Sequence, residues 1–295
     1  MTSASLTPDD VLALAGRQAG VDTGGAIEIR NGSNVMYRLA DDIVARIGPE
    51  HTEVVAGRQV AVARWLASVN INVVKPADVL PQPTVVGTRP VTWWERIPDH
   101  RPATTGELGA VLRQLHRLTP PTRLALPAFD PLSGVAERIA VATHLRGGDQ
   151  AWLLSHVQAL RRDLATLDTA GARSVIHGDA WQGNIAVPYN GPPVLLDLEQ
   201  VSLGSQDWDL IPVAVDFVDF ARLSDEDYRD FVDAYGGYDV TQTPHFRTLA
   251  DAQELRWTAY TLAKSETDDD AAAQTRLRIA CLRGDVPLPW TWDAF

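Results

Sequence analysis

The chain is predicted to fold as an α+β protein in two lobes. The first, residues 1–97, is a small antiparallel sheet with a helix; the second, residues 98–295, is larger and mainly helical. Three observations predict this. Short alternating apolar stretches separated by turn residues fill the first third. From Thr105 onward apolar residues recur at helical spacing. A cluster of chemistry-bearing residues falls in the helix-rich part: His177-Gly178-Asp179, then Asn184, then Asp197. A length of 295 residues suits one large domain or two lobes, and the boundary is placed near Ile97-Pro98-Asp99.

Each element has a local reason. Thr7-Pro8-Asp9-Asp10 opens a helix with a Thr cap, a proline in the first position and acids in the first turn; it runs to about Gly20. Ile27-Glu28-Ile29 alternates as a strand. Asn31-Gly32-Ser33-Asn34 is a turn, and Val35 to Leu39 forms the second strand. Asp41-Asp42 turns the chain into a third strand, Ile43 to Ile47. A helix follows from Glu53 to Ala67, with Ala61, Val62, Trp65 and Leu66 on one face. Val73 to Leu80 and Val85 to Glu95 are read as further strands. In the second lobe, Leu108, Val111, Leu112, Leu115 and Leu118 mark a helix behind a Thr cap. Another begins at Ser224, presents Tyr228, Phe231, Val232 and Tyr235, and stops at Gly236-Gly237.

Composition narrows the class. Cys281 is the sole cysteine, which excludes an internal disulfide and a thiolate metal cluster. No apolar run reaches the roughly 20 residues of a membrane helix. The opening Met1 to Ser5 has neither a basic segment nor an apolar core, so no secretion signal is read and a cytoplasmic location is expected. The formal net charge of -12 argues against a nucleic-acid partner and suits a cationic substrate. Lys75 and Lys264 are the only lysines.

The cluster at 177–197 carries the chemical signal. Asn184 lies five residues after Asp179, and Asp197 ends an apolar run thirteen residues further on. Phosphoryl transfer from a nucleotide needs this inventory: one carboxylate to accept the proton of the attacking hydroxyl, and an amide oxygen with a second carboxylate to hold magnesium. Val194 to Leu198 is read as a short buried strand. A charge inside it requires a cation partner for Asp197, because burying a lone carboxylate costs several kcal/mol.

With these residues in place, the chain resembles the aminoglycoside phosphotransferase family of the protein-kinase-like superfamily. The resemblance is carried by His177-Gly178-Asp179 to Asn184, Leu196-Asp197-Leu198-Glu199, Leu115-His116, and Gly204 through Trp208-Asp209-Leu210. It implies a bilobal fold with the nucleotide between the lobes. It also implies ATP or GTP as donor, Mg2+, and transfer of the γ-phosphoryl to a small-molecule hydroxyl. Asp179 is then the catalytic base, and Asn184 and Asp197 are the magnesium ligands. His177 braces the catalytic loop and Asp209 anchors it by hydrogen bonds. Trp181 and Glu199 are candidates for the substrate side.

Some positions depart from the family pattern. The third strand of the small lobe normally carries a lysine for the phosphates; here the basic residue is Arg46, and arginine holds phosphate bidentately. The lysine's usual glutamate partner falls near Gln59, which cannot form an ion pair; Glu53 is an alternative. Trp181-Gln182 stands where His-Pro is frequent. The phosphate loop is Gly32, Ser33 and Asn34, and main-chain groups of Glu95 to Ile97 are the expected adenine partners. Trp94, His116 and Trp290-Thr291-Trp292 are read as structural, and the Asp268-Asp269-Asp270 run as a solvated acidic face.

The expected activity is an O-phosphotransferase acting on an aminoglycoside, another basic antibiotic or an amino sugar. A metabolic kinase of the choline or homoserine type and a non-catalytic nucleotide-binding module are the alternatives.

Overall fold

A computed structural model describes residues 6–40, 42–79, 81–167 and 173–293. The Met1 to Ser5 segment, Asp41 of the expected turn and Leu80 of an expected strand lie outside these residues. In chain order the elements are α1 (Pro8–Ala19), β1 (Ile27–Asn31), β2 (Val35–Arg38), β3 (Ile43–Ile47), α2 (Glu53–Ser68), β4 (Thr84–Val86), β5 (Arg89–Glu95) and β6 (His100–Pro102). Then follow α3 (Thr105–His116), α4 (Val135–Val141), α5 (Asp149–Thr166), β7 (Ser174–Ile176), β8 (Ile185–Pro188), β9 (Val194–Leu195) and β10 (Ser202–Gly204). The chain closes with α6 (Asp207–Val218), α7 (Asp225–Tyr235), α8 (Phe246–Thr261) and α9 (Asp269–Leu282).

The chain forms two compact units, and the first is discontinuous: Met1–Ala103, Pro121–Ala125 and Gly183–Val201. The sequence boundary near Ile97 places the last of these segments in the second lobe. Strand pairing assigns it otherwise. β8 lies between β6 and β9 in an antiparallel sheet, and the Val74 amide donates to the Leu195 carbonyl. The main sheet of this unit is antiparallel in the order β1-β2-β3-β5-β4. Its core joins Val11, Leu12 and Ala15 of α1 to Tyr37, Ile47, Val91 and Trp93. α1 begins with a reciprocal cap between Thr7 and Asp10 and ends at Gly20.

Two expected strands are shorter than their apolar runs. Val85 to Glu95 is a hairpin of β4 and β5 that turns at Gly87-Thr88. Over 73–79 only Val73 and Pro76 form bridges, each isolated: Val73 with Leu195 and Pro76 with Trp94.

The second unit comprises Thr104–Pro120, Leu126–Gln182 and Ser202–Phe295. α3 starts with a reciprocal Thr104–Glu107 cap and α7 with a Ser224–Asp227 cap. The two helices pack closely at Gly109, where a Cβ would lie 2.6 Å from the Phe231 carbonyl oxygen. α6 is buried from Asp207 to Val215. β7 and β10 form a two-stranded antiparallel ribbon, which positions the loop after Ile176. The acidic run at 268–270 has a structural role: Asp268 caps α9 by accepting from the Asp270 and Ala271 amides. Trp292 is buried, its indole N–H pointing to Cys281 Sγ. Among the described residues no helix is long and apolar enough to cross a membrane.

Candidate active site

In the first unit, β3 carries Arg46 between Met36 of β2 and Thr92 of β5. Its side chain is largely buried, and its guanidinium faces two carboxylates. Nη2 lies 2.9 Å from Glu199 Oε2, and Nη1 lies 3.5 Å from Asp197 Oδ1. Arg46 is therefore the cation that faces Asp197, although the Asp197 side chain is partly exposed rather than buried as expected. The acid beside Arg46 is Glu199, not Glu53, and Arg58 of α2 donates to the Glu199 carbonyl at 3.3 Å. Gln59 is buried and lines the same recess as Ser33, Asn34, Arg46, Thr92 and Glu199.

Asp197 does not sit inside a strand. β9 ends at Leu195, and Asp197 takes a left-handed conformation (φ 46°, ψ 62°) ahead of a 3-10 turn at Leu198–Gln200. Such a backbone costs about 1 kcal/mol or more for a non-glycine residue, and it ends the ladder. Ile185 pairs with Leu195, and the Leu196 amide donates to the Asn184 carbonyl at 2.9 Å. Asn184 and Asp197 therefore stand at the same end of the β8–β9 ribbon. Both offer oxygen donors, the set that suits magnesium. Among the described residues no group of three or more His, Cys, Asp or Glu side chains converges as a metal site.

The turn between β1 and β2 is closed by a Gly32 amide donating to the Asn34 carbonyl at 3.2 Å, and a Cβ on Gly32 would meet open space. Glu95 and Ile97 stand at the end of β5. The Glu95 amide donates to the Lys75 carbonyl and the Arg96 amide to the Asp42 carbonyl. Trp94 is core, as expected, its indole bonded to Thr92 Oγ1 at 2.8 Å.

In the second unit, the loop after β7 carries His177, Gly178 and Asp179. His177 is fully buried. Gly178 has φ 82°, a conformation other residues rarely adopt. Asp209 of α6 is also fully buried and holds this loop by its backbone. Oδ2 accepts from the His177 amide at 2.6 Å and Oδ1 from the Gly178 amide at 2.8 Å. His116 Nε2 lies 3.0 Å from Oδ2, and His116 Nδ1 lies 2.8 Å from Tyr235 Oη. The Trp208 indole donates to the Gly178 carbonyl at 3.2 Å. Asp179 is half-buried at the end of this braced segment. Trp181 is 52% exposed, free of the core that holds its neighbours.

Sequence reasoning missed two features here. Asp207 pairs with His245 at 2.5 Å. Burial and the Asp207 charge push the Tyr238 phenol up to about 12. Arg256 of α8 lies over the rings of Trp208 and Phe129. Both features join residues far apart in sequence, and no local pattern marks them.

The phosphotransferase enzyme family model matches residues 26–247, well over half of the chain. This chain belongs to that family. It is a small-molecule phosphotransferase with a hydroxyl group as acceptor, and the reading as a non-catalytic binding module is set aside. A search of curated proteins finds no match. Solved structures share the fold of this phosphotransferase, the α+β protein-kinase-like fold, at low identity. An amicoumacin kinase, solved with AMP-PNP, Ca2+ and Ami, is 15% identical; the alignment covers 98% of this chain and 96% of that one, with a TM-score of 0.75. Choline kinase LicA from Streptococcus pneumoniae is 15% identical over 93% and 99% of the two chains, with a TM-score of 0.66. A spectinomycin phosphotransferase, solved with ADP and spectinomycin, is 13% identical over 95% of each, with a TM-score of 0.62.

Proposed function

We propose that this phosphotransferase moves the γ-phosphoryl group of ATP or GTP to a hydroxyl of a small cationic acceptor: an aminoglycoside, another basic antibiotic or an amino sugar. The observation that carries the chemistry is the backbone clamp of Asp209 on His177 and Gly178, which presents Asp179 from a rigid, buried support. Asp179 accepts the proton of the attacking hydroxyl. Arg46, with Ser33 and Asn34 beside it, orients the phosphates through its planar donor fork. Asn184 and Asp197 are the residues that would hold Mg2+, which would supply neutralisation of the charge on the transferred phosphoryl. The net charge of -12 and the fold shared with antibiotic kinases support a cationic antibiotic as acceptor. The fold shared with a choline kinase supports an amino alcohol as the second reading. A chain with a single cysteine suits the reducing cytoplasm.

The test is magnesium-dependent ADP and GDP release against pooled aminoglycosides, other basic antibiotics, amino sugars and amino alcohols. Stimulation by one of the first three pools is expected, and stimulation by amino alcohols alone moves the assignment to the second reading. Asp179→Ala is expected to abolish turnover while nucleotide binding by calorimetry stays intact. Wild-type turnover in that variant overturns the assignment of the base.

A further inference from the structure

Asp179 has a cation in its surroundings that belongs to a distant helix. Arg256 projects from α8 and is fixed on three sides. Its guanidinium carbon lies 5.4 Å from the Trp208 ring centroid and 5.7 Å from that of Phe129. Nη1 donates to the Pro131 carbonyl at 3.0 Å. The two rings pack on each other at 5.1 Å, and the Phe129 amide is held by the Leu203 carbonyl of β10. Trp208 in turn donates to the Gly178 carbonyl, the peptide that leads into Asp179. One platform thus carries both the guanidinium and the backbone of the catalytic loop.

We infer that Arg256 is a further positioning residue of Asp179: its guanidinium, stacked on the Trp208 ring that holds the Gly178 carbonyl, fixes the segment that presents the carboxylate to the acceptor's proton. The inference rests on the reading of Asp179 as the base. Burial pulls the Arg256 guanidinium below the usual arginine range, and the Asp179 carboxylate is the strongest charge opposing that pull; Arg138 adds to it and Asp130 opposes it. An arginine stays protonated under these influences. The platform also explains the residue type. A planar guanidinium stacks flat on rings while its edge donors keep a fixed fork; an ammonium can sit over a ring, but only as a point charge with rotatable donors.

The experiment is a double-mutant cycle with Arg256→Met and Asp179→Asn, read by ADP release from MgATP with water as acceptor, so that no acceptor need be known. Arg256→Met is expected to lower kcat about 100-fold, the cost of a misplaced catalytic group, with KM for ATP unchanged. Arg256→Lys is expected to recover part of that loss. In the Asp179→Asn background Arg256→Met is expected to cause no further loss, because the group it positions is gone. An equal fractional loss in both backgrounds, or an unchanged kcat in Arg256→Met, overturns the inference and leaves the base assignment standing. An unchanged kcat in Asp179→Asn overturns the base assignment itself. If Arg256→Met does not fold, Arg256→Lys carries the same cycle.

Discussion

Asp209→Asn isolates the support of the catalytic loop with a change of one atom. The wild-type carboxylate is fully buried and accepts three hydrogen bonds: His177 N–H and His116 Nε2 on Oδ2, Gly178 N–H on Oδ1. Asparagine has one carbonyl oxygen. Placed on the two-donor side, it leaves its NH2 against the Gly178 N–H, donor facing donor. Charge assistance on the remaining bonds is lost, at about 1 kcal/mol each, and one buried amide goes unsatisfied at about 1–3 kcal/mol. These sum to about 3–5 kcal/mol, the range of other broken buried pairs, and the relief from burying no charge leaves a net loss of about 2–4 kcal/mol. At about 2–4 °C per kcal/mol for a chain of this size, Tm falls by about 5–15 °C. Differential scanning fluorimetry reads that shift. Steady-state kinetics should show kcat down by about 100-fold from misplacement of Asp179. Nucleotide affinity should hold, because Arg46, Asn184 and Asp197 belong to the other compact unit. A variant that melts within about 2 °C of wild type and keeps its kcat refutes the reasoning, since less than 1 kcal/mol would then rest on the clamp.

Two further predictions concern the second unit. Gly109→Ala removes a helix-interior glycine, which alone is worth about 1 kcal/mol in favour of the variant. The new Cβ meets the Phe231 carbonyl at 2.6 Å, and overpacking of that kind costs about 1–3 kcal/mol, so a net loss in urea denaturation is expected; a gain refutes the close contact of α3 with α7. Glu254 is buried beside Arg247, which also binds Asp219 and Asp251. Burial raises the Glu254 carboxyl to about 9; Arg247 opposes the rise and Asp219 adds to it. The folded state therefore holds a proton that the unfolded chain releases near pH 4.5, so this group's stabilisation is lost as pH rises through about 9. Wild-type Tm should fall toward pH 9, and Glu254→Gln, a permanent mimic of the protonated acid, should flatten that fall. An identical slope in both proteins refutes the assignment.

The α+β class and the helix starts at Pro8, Glu53, Thr105 and Asp225 were legible from sequence alone, whereas α4, α5, α6, α8 and α9 were not. Caps, proline positions, turn dipeptides and apolar periods act within a few residues of one another. The reciprocal caps at Thr7, Thr104 and Ser224 and the turn at Asn31-Gly32 are of this kind. The spacing of Asp179, Asn184 and Asp197 was equally legible, because all three lie along one short stretch of chain. Pairings over long sequence separations were left to the tertiary structure. Val73 to Leu80 reads as a strand by composition, yet over 73–79 only isolated bridges form, at Val73 and Pro76, with partners far along the chain. Asp197 leaves its strand because the turn after β9 takes a left-handed residue. Glu199 rather than Glu53 faces Arg46, and Arg256 shares a platform with the loop of Asp179, because the residues involved come from distant parts of the chain. No local propensity encodes such meetings. They are decided when burial of the core selects one packing of the elements, and the polar side chains pair with what that packing brings near.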